Sequence, residues 1–417
     1  MRHALAPVAA LLLGVSILLT GQGLQGTLLP VRATLEGFST VSIGVMGGAY
    51  FFGFTVGCLR GGELIKRVGH IRVFLAMTAL ASASPLLHGL VLYEWVWTFL
   101  RMLTGFCFAV LYIVIESWLN EQSTQETRGV VFATYVMITM TVLAVGQMML
   151  LLYDPAELYL FAIASVLVSL AALPVALSTA PSPEQPEHVK PRLKRLFAIS
   201  PAGTLACLGS GFANGSFWAL APVFTTRLSD DVSLAAWFMT GTVIGGAVSQ
   251  WPMGALSDRV GRRQVMILAS LIAAALGGAI VVGAGQLSNL GLSLLGAAWG
   301  AASFPIYTIA VAHTNDYADP SEYVMVSGGL LLMYGIGAII GPFVASTAME
   351  MAGPSALFFY TAVIHSLLVL YAIFRMLRRK SAPVEQHIPF ADALATAVTT
   401  SHVYEEEITQ HSGEESR

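Results

Sequence analysis

Arg101 is a basic residue inside an apolar segment, residues 95–118, that is long enough to cross a membrane. A charged side chain exposed to lipid is costly, so this guanidinium is expected to face the protein interior and to have a partner there. The segment 6–29 offers two amide side chains, Gln22 and Gln25, three residues apart on one helical face. Arg101 is therefore a candidate functional residue, with a structural polar brace between helices as the alternative.

Two further titratable groups lie within apolar segments. Glu116 shares a helical stripe with Arg101, Gly105, Phe108 and Tyr112, and this stripe is predicted to line the interior. The Glu116 carboxylate is a candidate proton acceptor, and a gate ion pair or an interfacial acid in water are the alternatives. His365, near the middle of segment 355–377, could carry a coupling proton. A structural hydrogen bond between helices is the alternative for that histidine.

Polar and aromatic side chains on two other segments could bind an organic solute. Asn214 and Trp218 share a face at four-residue spacing, as do Trp299, Ser303 and Tyr307. A mostly apolar pocket with a few convergent polar groups is the usual site for such a solute. The predicted substrate site consists of Gln22, Gln25, Tyr112, Asn214, Trp218, Trp299 and Tyr307. Packing within a helix bundle is the alternative for each aromatic ring.

Two short, basic, glycine-containing segments lie between apolar runs. GALSDRVGRR, residues 254–263, matches GELIKRVGH, residues 62–70, at an offset of 192 residues. Both are predicted to be loops in which glycine permits a tight turn. Asp258 can pair with arginine or accept from the N-terminus of a neighbouring helix. Because Lys66 stands at the acidic position of the first copy, a symmetric pair of charge networks is not expected.

The composition places these residues in a membrane protein. Only 11% of residues are charged, 56% are hydrophobic and the mean hydropathy is +0.72, more apolar surface than a soluble chain of this length could bury. Apolar runs of about 20 residues predict twelve membrane-spanning helices. Their predicted ranges are 6–29, 41–62, 72–92, 95–118, 129–152, 157–178, 200–222, 234–255, 264–285, 289–312, 324–348 and 355–377.

The distribution of basic residues predicts the orientation. Of the 21 Lys and Arg residues, 18 fall on one side of the predicted spans, whereas Arg32 and Arg227 fall on the other and Arg101 lies within a span. The positive-inside rule then places both termini in the cytoplasm. The first segment is interpreted as helix 1 and not as a cleaved signal peptide, because it has a counterpart at offset 192 in the second half.

The repeat divides the chain into two halves. Residues 1–178 and 200–378 are predicted to form two six-helix bundles, joined by a cytoplasmic linker at 179–199 that is rich in proline and charge. Residues 379–417 lack apolar periodicity and are predicted to be a disordered cytoplasmic tail. Further matches at offset 195, such as Gly146 with Gly341, extend the repeat beyond the glycine segments.

These features together resemble the major facilitator superfamily of membrane transporters. The glycine-bounded basic segment is similar to that superfamily's loop signature, and RMLTG, residues 101–105, is similar to its helix 4 motif. ESWLNE, residues 116–121, resembles a bacterial branch whose solutes range over sugars and drug-like compounds. The resemblance covers residues 1–380 and implies an all-α membrane fold of two pseudo-symmetric six-helix bundles.

The resemblance also implies roles for individual residues. It implies that Arg101 faces helix 1 in proton or substrate coupling, and that the glycine segments form a cytoplasmic latch that breaks when the conformation changes. The predicted latch residues are Gly254, Asp258, Arg259, Gly261 and Arg262, with Gly62, Arg67 and Gly69 as the first-half copy. A glycine–proline segment typical of antiporters stands on helix 11, at Gly335–Pro342, and not on helix 5, which argues against drug–proton antiport.

We therefore expect a secondary transporter that moves a small organic solute across the bacterial inner membrane by alternating access, coupled to protons and acting in export. A proton-independent uniporter and a non-transporting membrane sensor or scaffold are the alternatives. The sequence has no phosphate-binding loop, metal-ligand spacing or catalytic set, so we expect no enzyme activity and no cofactor. The expected partners are the solute, protons and the lipid bilayer, without nucleic acid, and the chain is expected to act as a monomer.

Overall fold

The computed structural model describes residues 8–177 and 192–378, without the side chains of Gln125, Glu126, Arg128, Pro320 and Arg378. Within these ranges the chain is helical and forms no strand. The predicted tail at 379–417 and most of the predicted linker lie outside the described residues.

Twelve helical spans make up the two halves, which confirms the predicted all-α fold. Helices 1 to 6 are Ala9–Leu35, Thr40–Val68, His70–Leu90, Glu94–Glu121, Gln125–Met148, and Tyr159–Leu170 continued by Ala172–Ala176. Helices 7 to 12 are Pro201–Leu228, Ser233–Val260, Arg262–Gly283, Asn289–Ser303 continued by Pro305–Asn315, Tyr323–Ala352, and Ala356–Arg378. By length and composition alone, ten described helices could cross a membrane, and helix 7 joins them when combined with the short helix Leu193–Ile199 before it. Helix 8, with 28 residues, is long enough to span but does not reach the same apolar composition.

The prediction of a ten-residue loop at 254–263 is wrong. Helix 8 continues to Val260, helix 9 begins at Arg262, and Gly261 alone makes the turn with a φ of 115°. In the first half, helix 2 likewise continues to Val68 and Gly69 turns with a φ of 91°. A positive φ is readily adopted only by glycine, so one residue suffices to reverse the chain. The polar residues before each glycine therefore occupy the last helical turns.

The two halves pack in the same pattern. Helix 1 packs on helix 5 as helix 7 packs on helix 11, and helices 2 and 4 correspond to helices 8 and 10. Glycines occupy equivalent crossings: a Cβ on Gly53 would collide with the carbonyl oxygen of Met102, and a Cβ on Gly245 with that of Ala297. The repeat therefore holds for helix packing as well as for sequence, at an offset of 192 residues for the two glycines and 195 for their partners.

The described residues of the two halves pack most closely at one end of the molecule, and their contact extends to the middle of helix 2, where Thr55 lies against Gly335 of helix 11. We call the end that carries Gly69 and Gly261 the turn end, and the opposite end the closed end. At the closed end one hydrophobic cluster includes residues from both halves, and Gly44 and Gly48 of helix 2 pack against Pro342 and Ile339 of helix 11. Towards the turn end each half has its own cluster. The structure is therefore sealed at the closed end.

The last part of the predicted linker forms a short helix, Leu193–Ile199, that packs on the second half. Leu196 is buried there, close to Gly329 of helix 11. Arg195 donates two hydrogen bonds, of 2.9 and 3.0 Å, to the Glu322 carboxylate at the start of helix 11.

Candidate functional site

Arg101 lies on the inner face of the first half, over the aromatic ring of Tyr50. The guanidinium carbon is 4.3 Å from the ring centroid, which is a cation–π contact. Arg101 is only half-buried and makes no ion pair with any described residue. The ring of Tyr50 therefore replaces the amide contact expected from helix 1.

Gln22 links Tyr50 to Tyr112. Its Nε2 atom donates to the Tyr50 hydroxyl at 2.9 Å, and its Oε1 atom accepts from the Tyr112 hydroxyl at 2.9 Å. Since all three side chains are half-buried, the linked groups line the space between the halves. We call Arg101, Tyr50, Gln22 and Tyr112 the polar chain.

Close packing of helices 2 and 4 positions the polar chain. Gly105 stands one turn after Arg101, and a Cβ there would collide with the carbonyl oxygen of Tyr50. The missing side chain lets the two backbones approach, which brings the Tyr50 ring beneath the guanidinium. Phe54, one turn beyond Tyr50, then packs edge-on against Tyr112 with centroids 6.1 Å apart.

The second half presents aromatic rings to the same space. Trp218 of helix 7 stacks on Phe304 of helix 10, with centroids 5.7 Å apart and planes 18° apart. Tyr307 and Tyr334 form an edge contact at 5.1 Å. All four residues are half-buried, and we call them the ring face.

Contacts between the halves locate the ring face opposite the polar chain. A Cβ on Gly335, next to Tyr334, would lie 2.6 Å from Oγ1 of Thr55 on helix 2. The two surfaces therefore lie on either side of the space between the halves.

A break in helix 10 exposes Phe304. The helix ends at Ser303 and resumes at Pro305, whose ring cannot supply the backbone hydrogen bond of a continuous helix. Ser303 lies next to the break, donates to Oδ1 of Asn214 at 2.7 Å and lies 3.1 Å from Nε2 of His365. These hydrogen bonds connect helices 7, 10 and 12 at the break.

The predicted substrate residues divide into two groups. Gln22, Tyr112, Trp218 and Tyr307 line the space between the halves. The other three are enclosed: Gln25, Asn214 and Trp299 are 2%, 4% and 0% exposed. Trp299 stacks on Phe217 inside the second bundle, with centroids 5.1 Å apart. Only the first group is partly exposed.

The other two predicted coupling residues lie inside the bundles. Glu116 is 1% exposed, and its Oε1 atom accepts from the Tyr135 hydroxyl at 3.2 Å. This places an acid within the first half, one turn from Tyr112 on helix 4. His365 is 0% exposed and is held beside Ser303. The structure thus separates Arg101, Glu116 and His365 into three environments.

The second-half turn contains a network of charged groups. Arg262 is 2% exposed and forms ion pairs with Asp316 at 2.9 Å and with Asp258 at 2.8 Å, while it also donates to Ser257. Gly254 is buried beneath this turn, and Arg259 is exposed. We call Arg262 with its three partners the turn network.

The first-half turn has the same backbone and little of this network. Lys66 and Arg67 are exposed, and His70, at the position equivalent to Arg262, is buried with its ring 6.5 Å from that of Trp118. Gly62 lies in helix 2 with open space beside it. The predicted asymmetry between the two turns is therefore visible in the structure.

Sequence reasoning missed Tyr50, Phe304 and Tyr334. Tyr50, Phe54 and Cys58 follow each other at four-residue spacing on helix 2. The glycines at 53, 57 and 61 form a separate stripe that packs on helix 4. Because glycine marks the face of close helix contact, that pattern could have indicated that Tyr50 faces elsewhere, into the open space.

Comparisons with known proteins agree with this architecture. A family model of the Major Facilitator Superfamily matches residues 11–229 and 203–406. An uncharacterized MFS-type transporter of Escherichia fergusonii, YcaD, is 28% identical over 380 residues, covering 91% of this chain and 98% of that protein.

Two solved structures share the fold at low identity. The nucleoside transporter NupG has a TM-score of 0.70 at 15% identity, covering 90% of this chain and all of that one. A bacterial homologue of the human lysosomal transporter Spinster, solved inward-facing and occupied, has a TM-score of 0.72 at 16% identity, covering 92% and 98%.

Proposed function

Because the chain belongs to the Major Facilitator Superfamily, whose members include transporters of small solutes, we propose that it moves a small organic solute by alternating access. The solute would bind between the polar chain and the ring face. One observation supports this proposal: each half has a half-buried set of groups suited to a solute, with hydrogen-bonding groups from Gln22 to Tyr112 beside Arg101 in the first half and stacked aromatic rings in the second.

Packing at the closed end supports alternating access. The shared hydrophobic cluster joins the halves there, and each half has a separate cluster towards the turn end. Rocking one half against the other would open the closed end and bring the turns together. We place the turn end in the cytoplasm of a bacterial inner membrane, because most basic residues are near it.

The chemistry of the two surfaces favours an uncharged solute that combines a ring with hydrogen-bonding groups. Aromatic rings stack on planar or apolar parts of a solute, whereas the Gln22 amide and the tyrosine hydroxyls recognise hydroxyl or amide groups. The Arg101 guanidinium repels cations. Nucleosides, the class named for one structural neighbour, have this combination and are the first solutes to test.

We propose that proton uptake at Glu116 accompanies transport, with Arg101 sensing the occupied site. A buried carboxylate in a membrane bundle is a common proton carrier. His365 fits a structural hydrogen bond better, because it is enclosed beside Ser303 at the helix 10 break. We propose export as the direction, because the ring face suits an amphiphilic solute better than a highly charged nutrient.

The test is solute-driven flux in sealed proteoliposomes that contain a pH-sensitive dye. Nucleosides, sugars and drug-like cations are applied to wild type, Arg101→Gln and Arg60→Gln. Arg60 is the matched control, because it is an exposed arginine paired with Glu63 at 3.2 Å, away from the polar chain. We expect one solute class to drive proton movement in wild type and the control, and a loss of at least about tenfold in Arg101→Gln.

The other outcomes separate the parts of the proposal. Flux of radiolabelled solute without proton movement would replace proton coupling with uniport. Flux that is equal in wild type and Arg101→Gln would exclude the polar chain as the site. If a solute binds but is not transported in either orientation of the protein, the proposal that the chain is a transporter is wrong. Comparing inside-out with right-side-out molecules tests export.

A further inference from the structure

A crevice opens between helices 9 and 12 on the outer face of the second half. The two helices are close at Gly277, where a Cβ would lie 3.0 Å from the carbonyl oxygen of Phe358. Towards the turn end a shallow crevice opens between them, lined also by Ala202 and Ala206 of helix 7 and by Ile306 of helix 10. Met266, Ile306 and Leu368 are among its apolar walls.

The mouth of the crevice lies at the lipid-facing surface. Leu368, Tyr371 and Ala372 of helix 12 are half-buried at its rim, whereas their neighbours Leu367 and Leu370 are 56% and 64% exposed. Exposed leucines on a membrane-spanning helix contact acyl chains. The crevice is therefore reached from the bilayer and is separate from the space between the halves.

One arginine lines the crevice, and a second lies on the same face of helix 12 as two of the lining residues. Arg263, at the start of helix 9, is one of its lining residues. Arg375 stands four residues after Tyr371 and three after Ala372, so helical periodicity puts it on the same face of helix 12. Its Nε atom is buried and has no hydrogen-bond partner among the described residues. A buried guanidinium donor without a partner calls for an acceptor from outside the chain.

We propose that this crevice binds a phospholipid with an anionic headgroup. The phosphate accepts hydrogen bonds from Arg375 beside Arg263, and one acyl chain lies along Met266, Ile306 and Leu368. Guanidinium groups bind phosphate oxygens in a forked geometry, which suits the unpartnered Nε donor. The sequence continues the basic character, since Arg378, Arg379 and Lys380 follow directly. Basic clusters next to the end of a spanning helix attract anionic lipid.

Native mass spectrometry of the full chain in detergent tests the proposal. Phosphatidylglycerol and phosphatidylcholine with the same acyl chains are titrated against wild type, Arg375→Gln, Ala372→Trp and Leu370→Trp. We expect one phosphatidylglycerol to bind wild type more tightly than phosphatidylcholine. Arg375→Gln should weaken it about fivefold, and Ala372→Trp, which fills the crevice, should abolish it. Leu370→Trp puts the same bulk on the exposed face of the same helix and should bind like wild type.

Three results would overturn the proposal. They are equal binding of the two lipids, unchanged binding in Ala372→Trp, and displacement of bound lipid by inorganic phosphate with no effect of Ala372→Trp, which indicates a free-anion site. Arg375→Gln tests the site without filling it, should Ala372→Trp fail to fold. No solute is needed, so the outcome is independent of the transport proposal.

Discussion

The two glycine turns share a backbone and differ in chemistry. Gly69 and Gly261 both reverse the chain with positive φ between a helix that ends one residue earlier and one that begins one residue later. In the second half, Arg262 is buried between Asp258 and Asp316. In the first half, the equivalent position holds His70 against Trp118.

The central surfaces show the opposite distribution. The first half contributes the polar chain with Arg101, and the second half contributes the ring face. Both surfaces rest on equivalent glycine crossings between helices 2 and 4 and between helices 8 and 10. The repeated positions thus determine how the helices pack, whereas the side chains between them determine what each half does. The half that has the charged network at its turn is therefore not the half that has the arginine at the centre.

The largest expected effect concerns the turn network. Arg262→Met removes the ion pair that Arg262 makes with Asp316, whose side chain is 1% exposed, and should lower the free energy of unfolding by about 3–5 kcal/mol. Arg67→Met makes the same change at an exposed arginine of the first-half turn and should cost no more than about 0.5 kcal/mol. Denaturant unfolding in detergent measures both.

A double variant sharpens this prediction. Arg262→Met with Asp316→Leu removes both charges and should recover most of the loss, because the penalty comes mainly from a buried carboxylate that has lost its ion pair with Arg262. If Arg262→Met were no more destabilising than Arg67→Met, the turn network would not contribute to the free energy of unfolding.

Gly69 and Gly261 should contribute similarly to stability, unlike the charged residues beside them. Gly69→Ala and Gly261→Ala each force a side chain into positive φ, which should destabilise the protein by about 1–2 kcal/mol. Only open space surrounds Gly69, so its loss reports backbone strain alone. Gly62→Ala is the control of opposite sign: Gly62 is helical with nothing nearby, and alanine should stabilise it by about 0.5–1 kcal/mol. At Gly261 the new Cβ would also meet the side-chain amide of Gln264, so a larger loss there than at Gly69 would measure that contact.

Most of the fold could be predicted because apolar length and repeated spacing are visible in sequence. Each of the twelve predicted ranges overlaps an observed helix. The turns could not be predicted as well, since Gly254, Ser257 and Asp258 are typical of loops by composition. In the structure a single glycine reverses the chain, so the helix needs no earlier stop.

The candidate site was only partly predictable, because helical periodicity gives faces but not the rotation of each helix. Arg101 and Gln22 were both expected to point inwards, and they do, but Tyr50 from a third helix lies between them. Trp299 shares a stripe with Tyr307, yet Trp299 is enclosed and Tyr307 is not. The break at Pro305 changes which face of helix 10 is presented, and a stripe counted across it does not continue.

The polar chain and the ring face should respond differently to loss of a hydroxyl group. Tyr50→Phe keeps the ring under Arg101 and removes the acceptor of the Gln22 amide, so solute flux should fall about two- to tenfold. Tyr307→Phe keeps the edge contact between this ring and Tyr334 and removes only the hydroxyl, so it should change flux less than about twofold. Initial rates of radiolabelled flux compare them. Tyr50→Leu, which also removes the ring, should transport more slowly than Tyr50→Phe. Equal flux in the two variants would mean that the cation–π contact does not contribute to transport.

The smallest expected effect concerns the starts of helices 5 and 11, which are equivalent at offset 195. Helix 5 begins with a neutral capping box, Thr124 with Thr127, whereas Glu322 at the matching position pairs with Arg195. The hydrogen bond from Arg195 lowers the pKa of Glu322 below the ordinary value of 4.5. A lowered carboxyl pKa stabilises the fold above that value, and the stabilisation is lost as the pH falls through the folded pKa.

Glu322→Gln should therefore melt about 1–2 °C below wild type at pH 7, because an exposed ion pair contributes little. The difference should close as the pH falls below 4.5, and also at 1 M salt, which screens exposed charges. Thr127→Ala, the first-half counterpart, removes a neutral cap, so its deficit should stay constant over the same pH range. Melting curves of the three proteins from pH 3.5 to 7 decide the matter. If the melting temperature of Glu322→Gln stayed below that of wild type by the same amount at every pH, Arg195 would hold helix 11 through packing of its aliphatic stem and not through charge.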